Sequence, residues 1–372
     1  MTIDKTSGQA LDDVIYLASC AIREIEPDPL RIKRMNLDLV FIAAQQQLLA
    51  GCCAFALESV GLCTDDFARA KNKAIRKVVL LDLQREEIME RLEDEGIWHM
   101  PLKGAVIKEY DPSVGMREMS DNDILFDKAR TDDMRTIMSE LGFEGRELGK
   151  GAHDCFYKAP VYNFEMHRAL FTGKVSEQLN PYYEDVISNR LRLDEGKSFE
   201  YHFSPEDFYL YIIAHEYKHY CHSGTGLRGC FDTYICLTKL TLDMNYINSE
   251  AEKMGISDFE RVNRDLSMHL VNGEEIGNSE RKVLAYMRAS GIYGNTTARV
   301  KHKVVEGGGG LRGKATYVIS RIIPPMAQLK DDYPMLYKHR ILLPVALLSR
   351  FIKAITTSRK KVLTEIKTLY KN

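Results

Sequence analysis

At Ile97 the hydrophobic period of this chain changes, and that change limits the folds open to it. Before it, LDLVFIAAQQQLLAGCCAFAL (37–57) and the stretch from Asp65 to Gly96 repeat apolar residues at three- and four-residue spacing, the mark of amphipathic helix. The second stretch carries Lys, Arg, Glu and Asp on its other face, as a solvated helix does. After Ile97, IWHMPL predicts a short buried strand, AVIKEY a helical turn, SDNDILF (120–126) a second strand, and DDMRTIMSELGF (132–143) a helix capped by Thr131 or Asp132. CFYKAP and VYNFEMHRALF then alternate with a two-residue period about a turn near Pro160. Strand, helix, strand, helix, strand, strand is the order of a small mixed sheet. From Pro205 the helical spacing returns in EDFYLYIIAHEYKHY and CFDTYICLTKLTL. The expected fold is α+β. A mixed-sheet core over 96–204 lies between an N-terminal helical region, 1–95, and a C-terminal helical domain, 205–372.

Composition narrows the partners more than the fold. Among 372 residues, Lys+Arg number 51 and Asp+Glu 53, so a net charge of -2 exerts no global pull toward nucleic acid. The eight cysteines form no C-x-x-C pair and no disulfide-like spacing, and no secretory signal opens the sequence, so they read as reduced thiols of a cytoplasmic protein. ILLPVALL (341–348) is far short of the ~20 apolar residues of a membrane span. EGGGGLRG (306–313) reads as a flexible loop, because no strand precedes it and no G-K-[ST] closes it. The last segment, Lys338 to Asn372, sets nine Lys and Arg against Glu365 alone; such a basic helix could touch an anionic surface, and a solvated terminal helix is the simpler reading.

His215-Glu216-Tyr217-Lys218-His219 fits H-E-x-x-H, which on a helix places two imidazoles one turn apart to hold zinc beside a glutamate base. Lys218 between the imidazoles opposes a cation electrostatically, and the extended motif fails at His222 and Thr225. Glu250 and Glu252 stand at a tolerable distance in sequence for a third ligand, so a zinc peptidase stays open as the alternative.

The carboxylates tell more. Asp121 and Asp123 stand two apart at the start of a strand anchored by Ile124-Leu125-Phe126, and so share a face. Side-by-side carboxylates repel unless a cation lies between them, and Mg²⁺ prefers oxygen ligands. In YNFEMHRALF, Glu165 shares a strand face with Asn163 and His167, while Phe164 and Met166 take the other. An acid in that context requires a partner, either Arg168 or a metal. Three acids on adjacent strands suit two metal ions in a displacement at phosphorus.

At this point the pattern is recognisable. Leu102-Lys103-Gly104, Arg117-Glu118-Met119-Ser120-Asp121-Asn122-Asp123 and Glu165-Met166-His167, in this order, resemble the nucleotidyltransferase (DNA polymerase beta-like) superfamily. More narrowly they resemble the bacterial family of uncharacterised nucleotidyltransferases. The resemblance continues through Lys218-His219, Gly224, Gly226, Arg228 and Asp232 and into SRIIPPMAQLKDDYPMLYKHRILLPVALLSR.

It implies a nucleotidyltransferase core that moves NMP from an NTP such as ATP to an acceptor hydroxyl, releasing pyrophosphate. Asp121, Asp123 and Glu165 would be the catalytic acids holding two Mg²⁺, with Glu165 also the general base. Lys103, Gly104, Arg117, Ser120, Lys218, His219 and Arg228 would meet the nucleotide. His167 would support the acids, and Asp232 would orient His219 or Arg228 from behind. The superfamily's Gly-Ser turn is replaced by Lys103-Gly104-Ala105, so the serine hydroxyl is missing and Lys103 substitutes by charge. That departure keeps a nucleotide-binding module with a decayed site among the alternatives.

Overall fold

A computed structural model describes residues 5–149, 151–171, 176–222, 224–292, 294–322, 344–345, 347–349 and 359–370. Five strands form one mixed sheet: β1 (His99–Leu102), β2 (Asn122–Phe126), β3 (Glu144–Arg146), β4 (His153–Lys158) and β5 (Tyr162–His167), in the order β1-β2-β5-β4-β3. Only β2 and β5 run parallel; the other neighbours are antiparallel. The alternation expected about Pro160 is the β4–β5 hairpin, with β4 beginning two residues earlier than the pattern implied. A small second hairpin, β6 (Arg192–Leu193) with β7 (Tyr201–His202), carries no periodic signal in the sequence.

Pleating sends the two sheet faces to different cores. Ile124, Phe126, Phe164 and Met166 pack with Val78, Leu81, Ile88 and Leu92 of a long helix (Asp65–Asp94) and with Met134, Ile137 and Met138 of the helix Thr131–Glu140. That shorter helix has Arg130 at its N-cap without a side-chain bond, so the expected cap at Thr131 or Asp132 is corrected: both residues lie inside the helix, and Asp132 is one of two acids in its first turn.

On the opposite face, Met100, Leu102 and Leu125 join a larger core. It is shared by N-terminal helices (Lys5–Ile22, Leu37–Gln47, Ala50–Ser59) and C-terminal ones (Arg228–Lys239, Ser257–Asn272). The helical regions before and after the sheet thus pack into one body, while the long helix belongs to the sheet's own layers.

Through this larger core passes the helix Pro205–His222, called αA below, buried from Asp207 to Ala214. Ser204, Pro205 and Asp207 start it: Ser204 Oγ accepts from the Asp207 N–H at 3.1 Å, and its hydroxyl donates to the Asp207 carboxylate at 3.1 Å.

The glycine-rich segment is not a flexible loop. It is a tight corner between the helices Thr296–Glu306 and Gly310–Ile322, and a Cβ on Gly313 would collide with the Val304 carbonyl. Glu365 is buried between Arg299 (2.7 Å) and Arg321 (3.0 Å). About half of the basic C-terminal segment, half of ILLPVALL and most of the motif 320–350 lie outside the described residues; Arg359–Tyr370 is a helix. Among the described residues all eight cysteines are free, and no helix is long and apolar enough to cross a membrane.

Candidate active site

β1 ends at Leu102, and the next residue, Lys103, turns the chain at φ +50° and ψ −118°. L-residues avoid this region, at a cost of about 1–3 kcal/mol, and such strain gathers at functional sites. The turn aims the Lys103 ammonium at Asp123 Oδ1, 2.7 Å away. Asp123 is paired in register with Leu102 on one side and Glu165 on the other. Because Asp123 and Glu165 are register partners on neighbouring strands, both carboxylates leave the same sheet face. At a strand spacing of about 4.8 Å, two such charges repel by about 3 kcal/mol at an effective dielectric of 20.

The neighbours answer that repulsion. His167 Nε2 lies 2.8 Å from Asp123 Oδ1 and 3.6 Å from Glu165 Oε2. His153, the cross-strand partner of His167, lies 3.5 Å from the same Glu165 oxygen. Burial disfavours the charged Asp123, but the Lys103 ammonium and His167 more than offset it and hold its carboxyl well below the usual range. Asp121, one residue before β2, accepts from the Ser120 hydroxyl at 3.0 Å. Burial first, and the Asp123 charge next, push its carboxyl up. Lys77 of the long helix donates to the Ser120 carbonyl at 2.9 Å, which brings its charge beside Asp121.

The loop carrying Arg117 to Ser120 is strapped in place. Glu118 accepts the Gly51 N–H at 3.0 Å, and Arg228 donates to the Glu118 carbonyl at 3.0 Å. Gly115, at φ +92°, lies where a Cβ would press into Ile75. Arg117 donates twice to Asp232, Nε to Oδ1 and Nη2 to Oδ2, each at 2.9 Å. Asp232 therefore grips Arg117, where the sequence placed it behind His219 or Arg228. Gly104 belongs to the same packing, since a Cβ there would collide with the Arg117 guanidinium and come within 3.0 Å of Met119 Sδ. The arginine fork is occupied by protein, and Gly104 is the residue that lets it pass.

αA borders the acids with its last turns. His215 and His219 approach to 3.2 Å between their Nε2 atoms. Burial, followed for His215 by the nearby Lys103 charge and for His219 by Lys218, pushes both imidazoles down, His219 to about 4. Burial and then Lys103 also lower Lys218, with Glu165 and Asp123 drawing it the other way. Among the described residues Lys218 Nζ has no ion-pair partner.

Glu216 leaves the imidazole pair: its carboxylate accepts the Thr225 hydroxyl and abuts Gly229, and burial pushes it up to about 7. Glu250 is taken by Arg190 at 2.7 Å and by Lys253. No third zinc ligand joins His215 and His219 among the described residues. The group there that could share an ion is His153, Glu165 and His167. His153 was missed because the two-residue period was read from Cys155 onward; extended two residues back, the same alternation includes it.

The sequence pattern of the family described as "Uncharacterised nucleotidyltransferase" matches residues 35–272, which contain every residue of this site. Among solved structures, the chain is similar to an antigenic nucleotidyltransferase-like protein from Paracoccidioides brasiliensis. The likeness has 14% identity and a TM-score of 0.36, over 55% of this chain and 95% of that one. No curated protein matches.

Proposed function

Because the chain belongs to the uncharacterised nucleotidyltransferase family, we propose that it transfers NMP from an NTP to an acceptor hydroxyl and releases pyrophosphate. The observation that carries this reading is the pairing of Asp123 with Glu165 on parallel strands, with Asp121 beside them. Three acids on one rim hold more negative charge than Lys103 alone balances, and their oxygens fit Mg²⁺. Two Mg²⁺, held by Asp121, Asp123 and Glu165, would supply charge neutralisation at the attacking and leaving oxygens.

The chain's own residues do the rest. Glu165 takes the proton of the acceptor hydroxyl, a role suited to a partly exposed carboxylate with a free oxygen. Lys218 and Arg228, neither paired with a carboxylate at ion-pair distance among the described residues, offer positive charge to the triphosphate. Lys103 neutralises Asp123 until a cation does so and can then turn to phosphate. Arg117 positions the loop through Asp232. The helix face of His215 and His219 walls the cleft without holding zinc.

A thermal-shift panel with each of the four NTPs, with and without Mg²⁺, tests the reading. A ligand specific to the native state raises the melting temperature. The proposal expects a Mg²⁺-dependent rise with at least one NTP, lost in Asp121→Asn/Asp123→Asn. No rise with any NTP would overturn it. A rise without any product formed would favour the decayed binding module.

A further inference from the structure

The two carboxylates that face each other across β2 and β5 do not have the same surroundings. Asp123 already has a permanent cation, the Lys103 ammonium at 2.7 Å. Glu165 has no lysine or arginine within ion-pair distance among the described residues; its neighbours are two imidazoles, His153 at 3.5 Å and His167 at 3.6 Å. These three side chains come from adjacent antiparallel strands. His153 and His167 are register partners, and Glu165 precedes His167 by two residues, so all three leave one sheet face. Their ligand atoms lie within 4.8 Å of one another. Donors bound at about 2.0–2.1 Å to one ion stand roughly 3.0–3.4 Å apart, so the two histidine–glutamate gaps of 3.5 and 3.6 Å close by a few tenths of an ångström, and the histidine pair draws in by up to about 1.4 Å.

The donor chemistry is specific. Mg²⁺ keeps carboxylates and waters and takes imidazole poorly, whereas first-row transition ions accept nitrogen readily. His167 is also held from behind. Its Nδ1 faces the Ala169 carbonyl at 3.4 Å, which suits a proton on Nδ1, and its Nε2, 2.8 Å from Asp123 Oδ1, releases the proton it shares with that carboxylate when an ion binds. His153 is one-third exposed, so the group opens to solvent rather than being sealed in the core.

We propose that His153, Glu165 and His167 form a binding site for a divalent transition ion of the Mn²⁺-to-Zn²⁺ class, distinct in selectivity from the oxygen-only pair Asp121 and Asp123. The two halves of the rim would then differ: an oxygen-only half for a hard cation, and a half where the two imidazoles beside the shared Glu165 make a transition ion preferred over Mg²⁺. The site stands on these three residues and does not depend on the transfer reaction.

The test titrates the metal-free full chain with Co²⁺ and follows visible d–d absorption, with no nucleotide present. The expected result is one equivalent bound, displaced by Zn²⁺ and not by millimolar Mg²⁺. In His153→Ala and in Glu165→Gln, affinity falls at least tenfold, ligand loss costing no less than the 10–100-fold typical of supporting residues. His202→Ala, a histidine outside the group, should leave the titration unchanged, and circular dichroism confirms that each variant folds. Equal Co²⁺ binding in a folded His153→Ala protein, or ready displacement by Mg²⁺, would overturn the proposal. Failure of NTP transfer alone would leave this result standing.

Discussion

Arg117 and Asp232, 115 residues apart in sequence, are joined by two parallel hydrogen bonds of 2.9 Å in a largely buried ion pair. The pair fastens the loop leading into β2 to the start of the helix Arg228–Lys239. It thereby sets where Ser120, Asp121 and Asp123 begin.

Breaking that pair leaves one charge buried without its partner, which costs about 3–5 kcal/mol. Arg117→Ala and Asp232→Ala are each expected to lose about 3 kcal/mol in urea denaturation. The double variant should lose less than their sum, because the residues act as one unit. Gly104→Ala should behave as a milder version, since its methyl displaces the guanidinium. Additive losses would contradict the coupling.

Lys218 supplies a prediction of opposite sign. Its ammonium is half-buried and unpaired among the described residues, and burial pushes it down. Lys218→Met should therefore stabilise the protein, by roughly 1 kcal/mol, because an uncompensated charge leaves a poorly solvated place. The same change should weaken the NTP-dependent thermal shift. A residue with only a packing role would not move the two readouts in opposite directions.

Glu216 governs a pH dependence. Its carboxyl is pushed from the ordinary 4.5 up to about 7, burial being the largest cause. Between those values the folded state keeps a proton that the unfolded chain releases, so stability falls as pH rises through that window and levels off above about 7. The difference corresponds to at most about 3 kcal/mol. Glu216→Gln removes this part of the slope, so the variant should match the wild type near pH 4 and exceed it at pH 8. Asp111, also pushed up to about 7 by burial, leaves a residual slope. Stability curves against pH decide. The variant should also retain any NTP transfer, whereas a zinc peptidase would lose its base.

Much of this arrangement was legible in the sequence. The period change at Ile97, the D-x-D ahead of Ile124-Leu125-Phe126 and the alternation around Glu165 placed three acids on neighbouring strands, because a strand's period of two fixes its faces locally. Residues whose partners are distant were not legible. Nothing local marks Arg117 as the partner of Asp232, or Glu250 as the partner of Arg190. H-E-x-x-H has the right spacing, yet ligation needs a third residue that only tertiary structure can bring, and here Glu216 is drawn away by Thr225. His153 lay within reach of the strand pattern, one alternation before its start.

The proposed transfer is defined by which phosphorus is attacked. Labelling an NTP at its α- or its γ-phosphate, and incubating each with the protein, Mg²⁺ and a panel of hydroxyl-bearing acceptors (sugars, aminoglycosides, peptides, tRNA), separates the reactions directly. NMP transfer predicts α-label in the product, no γ-label, stoichiometric pyrophosphate, and loss of both the α-label transfer and the pyrophosphate in Asp123→Asn. Transfer of the γ-label, or undiminished transfer by folded Asp123→Asn, would contradict it.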